Sequence, residues 1–119
     1  MQISRSVESS ESGSATVMHV KGNIDGNSVD DFIAEVKIIV QEMRDFDSVR
    51  LVISLQDVED INSSGLAILV WADKRIAKAK SLCVANLTDK IEHIIKVIKF
   101  DQHIRNYDTI ESALEAMKG

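Results

Sequence analysis

The segment from Val49 to Leu55, VRLVISL, constrains the fold more than any other stretch of the chain. Val49, Leu51, Ile53 and Leu55 alternate, and Val52 adds an apolar residue to the opposite face. A strand that is apolar on both faces belongs inside a sheet covered by helices on each side. The segment beginning at Ser63 or Ser64 reads as such a helix, with Leu66, Ala67, Leu69, Val70, Ala72, Ile76 and Ala77 as its apolar members. Its first half is apolar nearly all round, which predicts deep burial. Lys74, Arg75, Lys78 and Lys80 gather toward its end, where cations suit the negative pole of the helix dipole.

The rest of the chain repeats this alternation. Gln2 to Val7 and Ala15 to Val20 read as two strands joined through the polar stretch Glu8 to Ser14, a hairpin turn. From about Ser28 to Arg44, Val29, Phe32, Ile33, Val36, Ile39, Val40 and Met43 recur at spacings of three and four. They form one helical stripe, capped by Asn27 or Ser28 and backed by a wet face of Asp30, Asp31, Glu35 and Lys37. Leu82 to Ala85 is a short buried strand. Thr88 opens a third helix with Ile91, Ile94, Ile95 and Ile98 as its stripe. Ile104 to Tyr107 is a last strand, and Asp108 with Glu111 three residues on opens a final helix carrying Ile110, Ala113, Leu114 and Met117. Strands alternating with helices demand crossover connections. The expected fold is α/β: a mixed, largely parallel sheet with helices packed on it, in one domain over residues 1–119.

Composition removes several function classes. The formal net charge is −5, so a phosphate backbone is repelled on average and nucleic acid is not an expected partner. No apolar run approaches a membrane span, the N-terminal MQISRSVESSESGS has no apolar signal core, and Cys83 is the sole cysteine. A cytoplasmic protein without membrane insertion is expected. Cys83 lies in an apolar strand and reads as a core thiol. His19, His93 and His103 are not at ligand spacing from one another or from Cys83, so no metal site is expected, and His93 falls between stripe positions as a solvated residue. With no phosphate-cradling glycine loop and no distinct acid–base pair, no cofactor and no catalytic residue are expected, and the chain does not read as an enzyme.

One segment stands apart: Asp60-Ile61-Asn62-Ser63-Ser64-Gly65-Leu66, where a buried strand ends and a helix begins. Helix capping by Ser63 or Ser64 explains a serine here, and close packing explains Gly65. A second meaning comes from position. A loop beyond the carboxyl end of a buried strand is where open α/β sheets bind partners. A serine hydroxyl there is open to a kinase, and a helix N-terminus tolerates the charge of roughly −1.5 to −2 that phosphorylation adds.

These residues resemble the STAS family, and within it the anti-sigma factor antagonists, over nearly the whole chain. Gly22-Asn23-Ile24-Asp25 is similar to the family's Gly-Glu-Leu-Asp after the second strand. Leu51 to Leu69, LVISLQDVEDINSSGLAIL, resembles its central strand, turn and Asp-Ser-Ser-Gly-Leu helix start. VANL at Val84 to Leu87 and YDTIESAL at Tyr107 to Leu114 resemble its later elements. The resemblance implies a partner switch. The unphosphorylated antagonist binds an anti-sigma factor that is also a serine kinase; the kinase phosphorylates Ser63, and a metal-dependent serine phosphatase reverses this. It also places Asp25, Asn62, Ser63, Ser64 and Gly65 at the partner-binding surface, with Asp25 on an exposed loop. A STAS subunit of an ATPase-driven lipid transport complex is the alternative, favoured less by the Ser-Ser-Gly motif. The chain departs from the family in two places. Asn62 replaces the motif's aspartate, keeping its capping shape without its charge. Ala77-Lys78-Ala79-Lys80-Ser81 replaces the glycines that usually end the second helix.

Overall fold

The computed structural model describes residues 1–10, 13–43, 50–76, 82–102 and 104–116. Val49, Ala77 to Ser81, His103 and Met117 lie outside the described residues.

Five strands form one sheet in the order β1-β2-β3-β4-β5. β1 (Gln2–Ser10) and β2 (Gly13–Lys21) pair antiparallel. β3 (Leu51–Asp57), β4 (Leu82–Ala85) and β5 (Arg105–Tyr107) continue it in parallel from β2. The mixed, largely parallel sheet expected from the alternation is therefore present. Helices α1 (Val29–Met43), α2 (Ser63–Arg75) and α3 (Asp89–Val97) fill the three crossovers, and α4 (Ile110–Ala116) closes the described chain.

Strand alternation divides the core in two. Met18, Val20, Leu51, Ile53, Leu55, Leu82 and Val84 join Phe32, Val36, Leu69 and Ile91 from α1, α2 and α3. Successive right-handed crossovers stepping in one direction along a sheet leave their helices on one face, which is why these three share a core. Ala15, Val17, Val52, Cys83 and Ala85 form the other core, covered by Ala113 and Leu114 of α4. The double-sided apolarity of β3 thus has a helix for each face. Ser54 is the one buried polar residue among those described. Its hydroxyl accepts a 3.2 Å hydrogen bond from the side-chain amide of Asn86, a residue in the left-handed region at φ 58°.

Several local expectations shift. Val70 is half-buried and Ala67 exposed, so α2 keeps an open flank instead of sinking on all sides. Ile98 is 52% exposed, because α3 ends at Val97 and Ile98 caps it outside the stripe formed by Ile91 and Ile95. The α4 cap is Thr109, one residue after Asp108. Thr109 Oγ1 accepts from the Ser112 amide at 3.0 Å while Ser112 Oγ accepts from the Thr109 amide at 3.1 Å. That reciprocal pair uses the same three-residue spacing as Asp108 and Glu111 but satisfies both orphan amides.

Candidate functional site

Three loops meet at the carboxyl end of the parallel strands, and backbone bonds tie the first two together. The chain leaves β2 through Gly22 at φ 106°, where a side chain would be strained. Gly22 N–H donates to the Asp57 carbonyl at 3.1 Å, Ile24 N–H to the Asp60 carbonyl at 2.9 Å, and Asn62 N–H to the Ile24 carbonyl at 2.8 Å. The Asn23 side-chain oxygen accepts from Glu59 N–H at 3.2 Å. The result is a short parallel bridge between Ile24 and Ile61, whose side chains are both buried. The third loop joins through Thr88, whose hydroxyl donates to the Val58 carbonyl at 3.0 Å and accepts from Ile91 N–H at 3.3 Å, capping α3 as expected.

This bridge explains Gly65. A Cβ built on Gly65 would lie 2.7 Å from Ile24 Cγ2 and 2.9 Å from Ile61 Cγ1, so α2 approaches the bridged loops at a distance only glycine allows. Close packing, not conformational freedom, requires it.

Asn62 performs the capping that Ser63 or Ser64 was expected to perform. Its side-chain oxygen accepts from Gly65 N–H at 2.9 Å, with the backbone extended at φ −89° and ψ 174°. The physical reason is one of position: α2 starts at Ser63, so the residue before it holds the capping geometry. Ser63 and Ser64 are both exposed, and neither hydroxyl has a hydrogen-bond partner among the described residues. The two point apart, because consecutive helical residues are about 100° apart around the axis. Ser64 faces α1, while Ser63 sits beside the bridged loops.

Asp25 is half-buried, and its carboxylate turns into its own loop. Oδ1 accepts from Asn27 N–H at 3.0 Å and lies 3.3 Å from the Ser28 hydroxyl oxygen. Ser28 in turn accepts from Asp25 N–H at 3.2 Å and donates to the Asn23 carbonyl. Asp25, expected exposed at the partner-binding surface, is half-buried and shapes its own loop. Around it the rim is acidic, with Asp57, Glu59 and Asp60 all exposed. Among the described residues no cluster of His, Cys, Asp or Glu could hold a metal ion, and no helix is long and apolar enough to cross a membrane.

With that geometry in place, the comparison with known proteins is decisive: the STAS-domain model matches residues 6–113. The chain belongs to the STAS family. A Thermotoga neapolitana protein, named as an anti-sigma factor antagonist TM1081 homologue, is 27% identical over 71 residues, 59% of this chain and 63% of that protein. The match thus spans less than two-thirds of the relative's length. The structure of an anti-sigma factor antagonist from Mycobacterium paratuberculosis superposes with a TM-score of 0.79 at 24% identity, covering 99% of this chain and 96% of that one. SpoIIAA in its unphosphorylated form superposes at 0.68 with 13% identity, covering 98% and 97% of the two chains. The phosphorylated form of Bacillus SpoIIAA superposes at 0.58 with 11% identity, covering 95% and 98%. At these identities the solved structures establish a shared fold.

Within this STAS domain, the five residues singled out by sequence divide into roles. Asn62 caps, Gly65 packs, Asp25 holds its loop, and Ser63 and Ser64 present free hydroxyls. Sequence reading missed Trp71, half-buried on α2 with the Arg75 guanidinium 5.4 Å above its ring. Its spacing of four from Ala67 and three from Ile68 was the available signal.

Proposed function

We propose that this STAS domain is an anti-sigma factor antagonist that works as a phosphorylation-controlled partner switch. The unphosphorylated form binds an anti-sigma factor with serine kinase activity in the cytoplasm. That kinase moves the γ-phosphoryl of ATP to Ser63 Oγ, releasing ADP and the hydroxyl proton, and the complex separates. A metal-dependent serine phosphatase restores the hydroxyl. The chain itself catalyses nothing.

One observation carries the reading: Asn62 takes over the cap, so the Ser63 hydroxyl is exposed and uncommitted beside the Asp25 loop. A serine needed for capping could not be modified without loosening α2; this one can. The first-turn amides and the helix dipole favour an anion at that position, so the phosphate is compatible with the fold. The naming of relatives as anti-sigma factor antagonists supports the class of partner. SpoIIAA, of the same fold, exists in both unphosphorylated and phosphorylated forms.

The test is a phosphosite map by mass spectrometry after incubation with each purified anti-sigma factor kinase of the source organism, magnesium and ATP. Titration of the unmodified, phosphorylated and Ser63→Ala forms against the same kinase completes it. Phosphate on Ser63, with binding lost in the phosphorylated form and kept in Ser63→Ala, supports the switch. Phosphate confined to Ser64 overturns the residue assignment. Equal affinity of modified and unmodified protein overturns the mechanism and leaves the transport-subunit alternative in the lead.

A further inference from the structure

Beside the loop cluster, α1 and α2 pack together and leave a groove of about 380 Å³ between them. Ile33 and Lys37 line it from α1, and Ser64, Ala67, Ile68 and Trp71 from α2. The floor is apolar, and Ser64 at one end is the neighbour of Ser63, so the groove continues directly from the proposed switch surface.

Its charge differs in sign from the loops. Asp25, Asp57, Glu59 and Asp60 crowd the carboxyl end of the sheet. The groove carries Lys37, which has no ion pair among the described residues, and Arg75 lies next to it, stacked on the lining Trp71. Of the acids on α1, Glu35 and Glu42 are engaged by Arg5 of β1, while the exposed Asp30 and Asp31 sit in the first turn and do not line the groove, where Lys37 is the charged lining residue. A half-buried tryptophan and aliphatic walls beside the cations Lys37 and Arg75 match an apolar anchor bordered by carboxylates.

We infer that the α1–α2 groove is a second contact for the anti-sigma factor, receiving an apolar side chain of that partner flanked by carboxylates. This rests on the partner-switch reading for the identity of the occupant. The partner then bridges two fields of opposite sign, meeting the acidic loops with a cationic surface and the groove with an acidic one. Such a pattern fixes the orientation of docking, since a partner turned end for end would set like charges against each other.

The experiment uses the full chain and the purified anti-sigma factor that binds it in the titration above. Ala67→Glu places bulk and a carboxylate on the groove wall, at an exposed position early in α2 where glutamate suits the helix. Lys37→Glu reverses the free cation without touching α2. Each is expected to weaken binding at least tenfold while keeping the wild-type thermal midpoint, and the Lys37→Glu loss is expected to shrink as salt is raised. Ala67→Ser, of similar size, is expected to bind like wild type. Wild-type affinity in both glutamate variants, with Ser63 phosphorylation still abolishing binding, overturns the groove and leaves the switch standing. A wild-type dimer in sedimentation that Ala67→Glu dissociates also overturns it, because a second copy would then occupy the groove. If no anti-sigma factor binds even the wild-type chain, the partner-switch reading fails first and this inference with it.

Discussion

Replacing Gly65 by alanine adds one methyl group at the point where α2 meets the bridged loops, and two effects of known size then compete. Alanine is better than glycine in a helix by about 0.8–1 kcal/mol. Against this, the new Cβ meets Ile24 Cγ2 at 2.7 Å and Ile61 Cγ1 at 2.9 Å, where ordinary contact begins at 3.4 Å. Neither atom is the loose end of a long side chain: one is a branch methyl and the other the first carbon of its arm. Both isoleucines are buried, at 0% and 4% exposure, and are pinned by the backbone bridge between them. Overpacking of this kind costs about 1–3 kcal/mol, so the net expectation is a destabilisation of about 1 kcal/mol, read as a lower urea midpoint at unchanged slope. A double-mutant cycle sharpens the point. Ile24→Ala removes the closest contact, and in that background Gly65→Ala is expected to cost less than in wild type, because only the Ile61 Cγ1 contact at 2.9 Å remains and the vacated space lets it relax. A Gly65→Ala protein more stable than wild type by about 1 kcal/mol would show helix propensity acting alone and refute the close-packing account.

Four further outcomes follow from the same structure. Leu69, 1% exposed in the main core, is expected to cost about 2–5 kcal/mol on truncation to alanine, measured by denaturant unfolding. Asp25→Ala is expected to lose about 1 kcal/mol of stability, because Asn27 N–H loses its acceptor, and a stability unchanged within about 0.3 kcal/mol would count against the loop-holding role. Asn62→Ala is expected to lose about 1 kcal/mol with the α2 cap, whereas Asn62→Asp retains the acceptor and is expected to stay within about 0.5 kcal/mol of wild type. Burial pushes the Cys83 thiol up to about 12, with the Arg105 charge opposing weakly. Because the folded value is raised, the full stability holds below the unfolded thiol value and declines as pH climbs toward the folded one. Wild type is thus expected to lose stability relative to Cys83→Ala between about pH 9 and 12, by a few kcal/mol at the upper end, and native Cys83 is expected to resist alkylation at pH 8.

The strands and helices were legible wherever periodicity and burial coincide. The alternation of β3, the three-and-four spacing of α1 and the Thr88 cap all depend on local geometry that residue type alone encodes. Legibility failed where a distant segment decides. The first half of α2 reads as apolar nearly all round, yet within it Ala67 stays exposed and Val70 is half-buried. Asp25 reads as an exposed residue facing a partner, yet its neighbour Asn27 engages its carboxylate within the loop that leaves Gly22 and bridges Ile24 to Ile61. The reason for Gly65 combines three segments, and no spacing rule could link Ile24 to a glycine forty-one positions on. At the candidate site itself, the motif identified the serines, and the structure decided which residue caps and which hydroxyls remain free.

The distribution of charge bears on how a phosphate at Ser63 would act. A dianion there would not invert the local field, because Asp25, Asp57, Glu59 and Asp60 already make that end of the molecule acidic. A partner able to approach this surface must bring cations to it, and long-range attraction to those cations would grow, not fall, on phosphorylation. In the proposed switch, release would therefore come from short range. An exposed hydroxyl beside the tightly bridged loops can be covered by a closely fitting partner at little cost, whereas a hydrated dianion must either be stripped of water or hold the surfaces apart. Gly65 and the Ile24–Ile61 bridge matter to this argument, since they pack the start of α2, where Ser63 lies, closely against the neighbouring loops. If the proposed switch operates this way, Ser63→Asp, smaller and with one charge, would block binding only in part, and the fit at the loop junction, more than the sign of the added charge, would let a single hydroxyl control the complex.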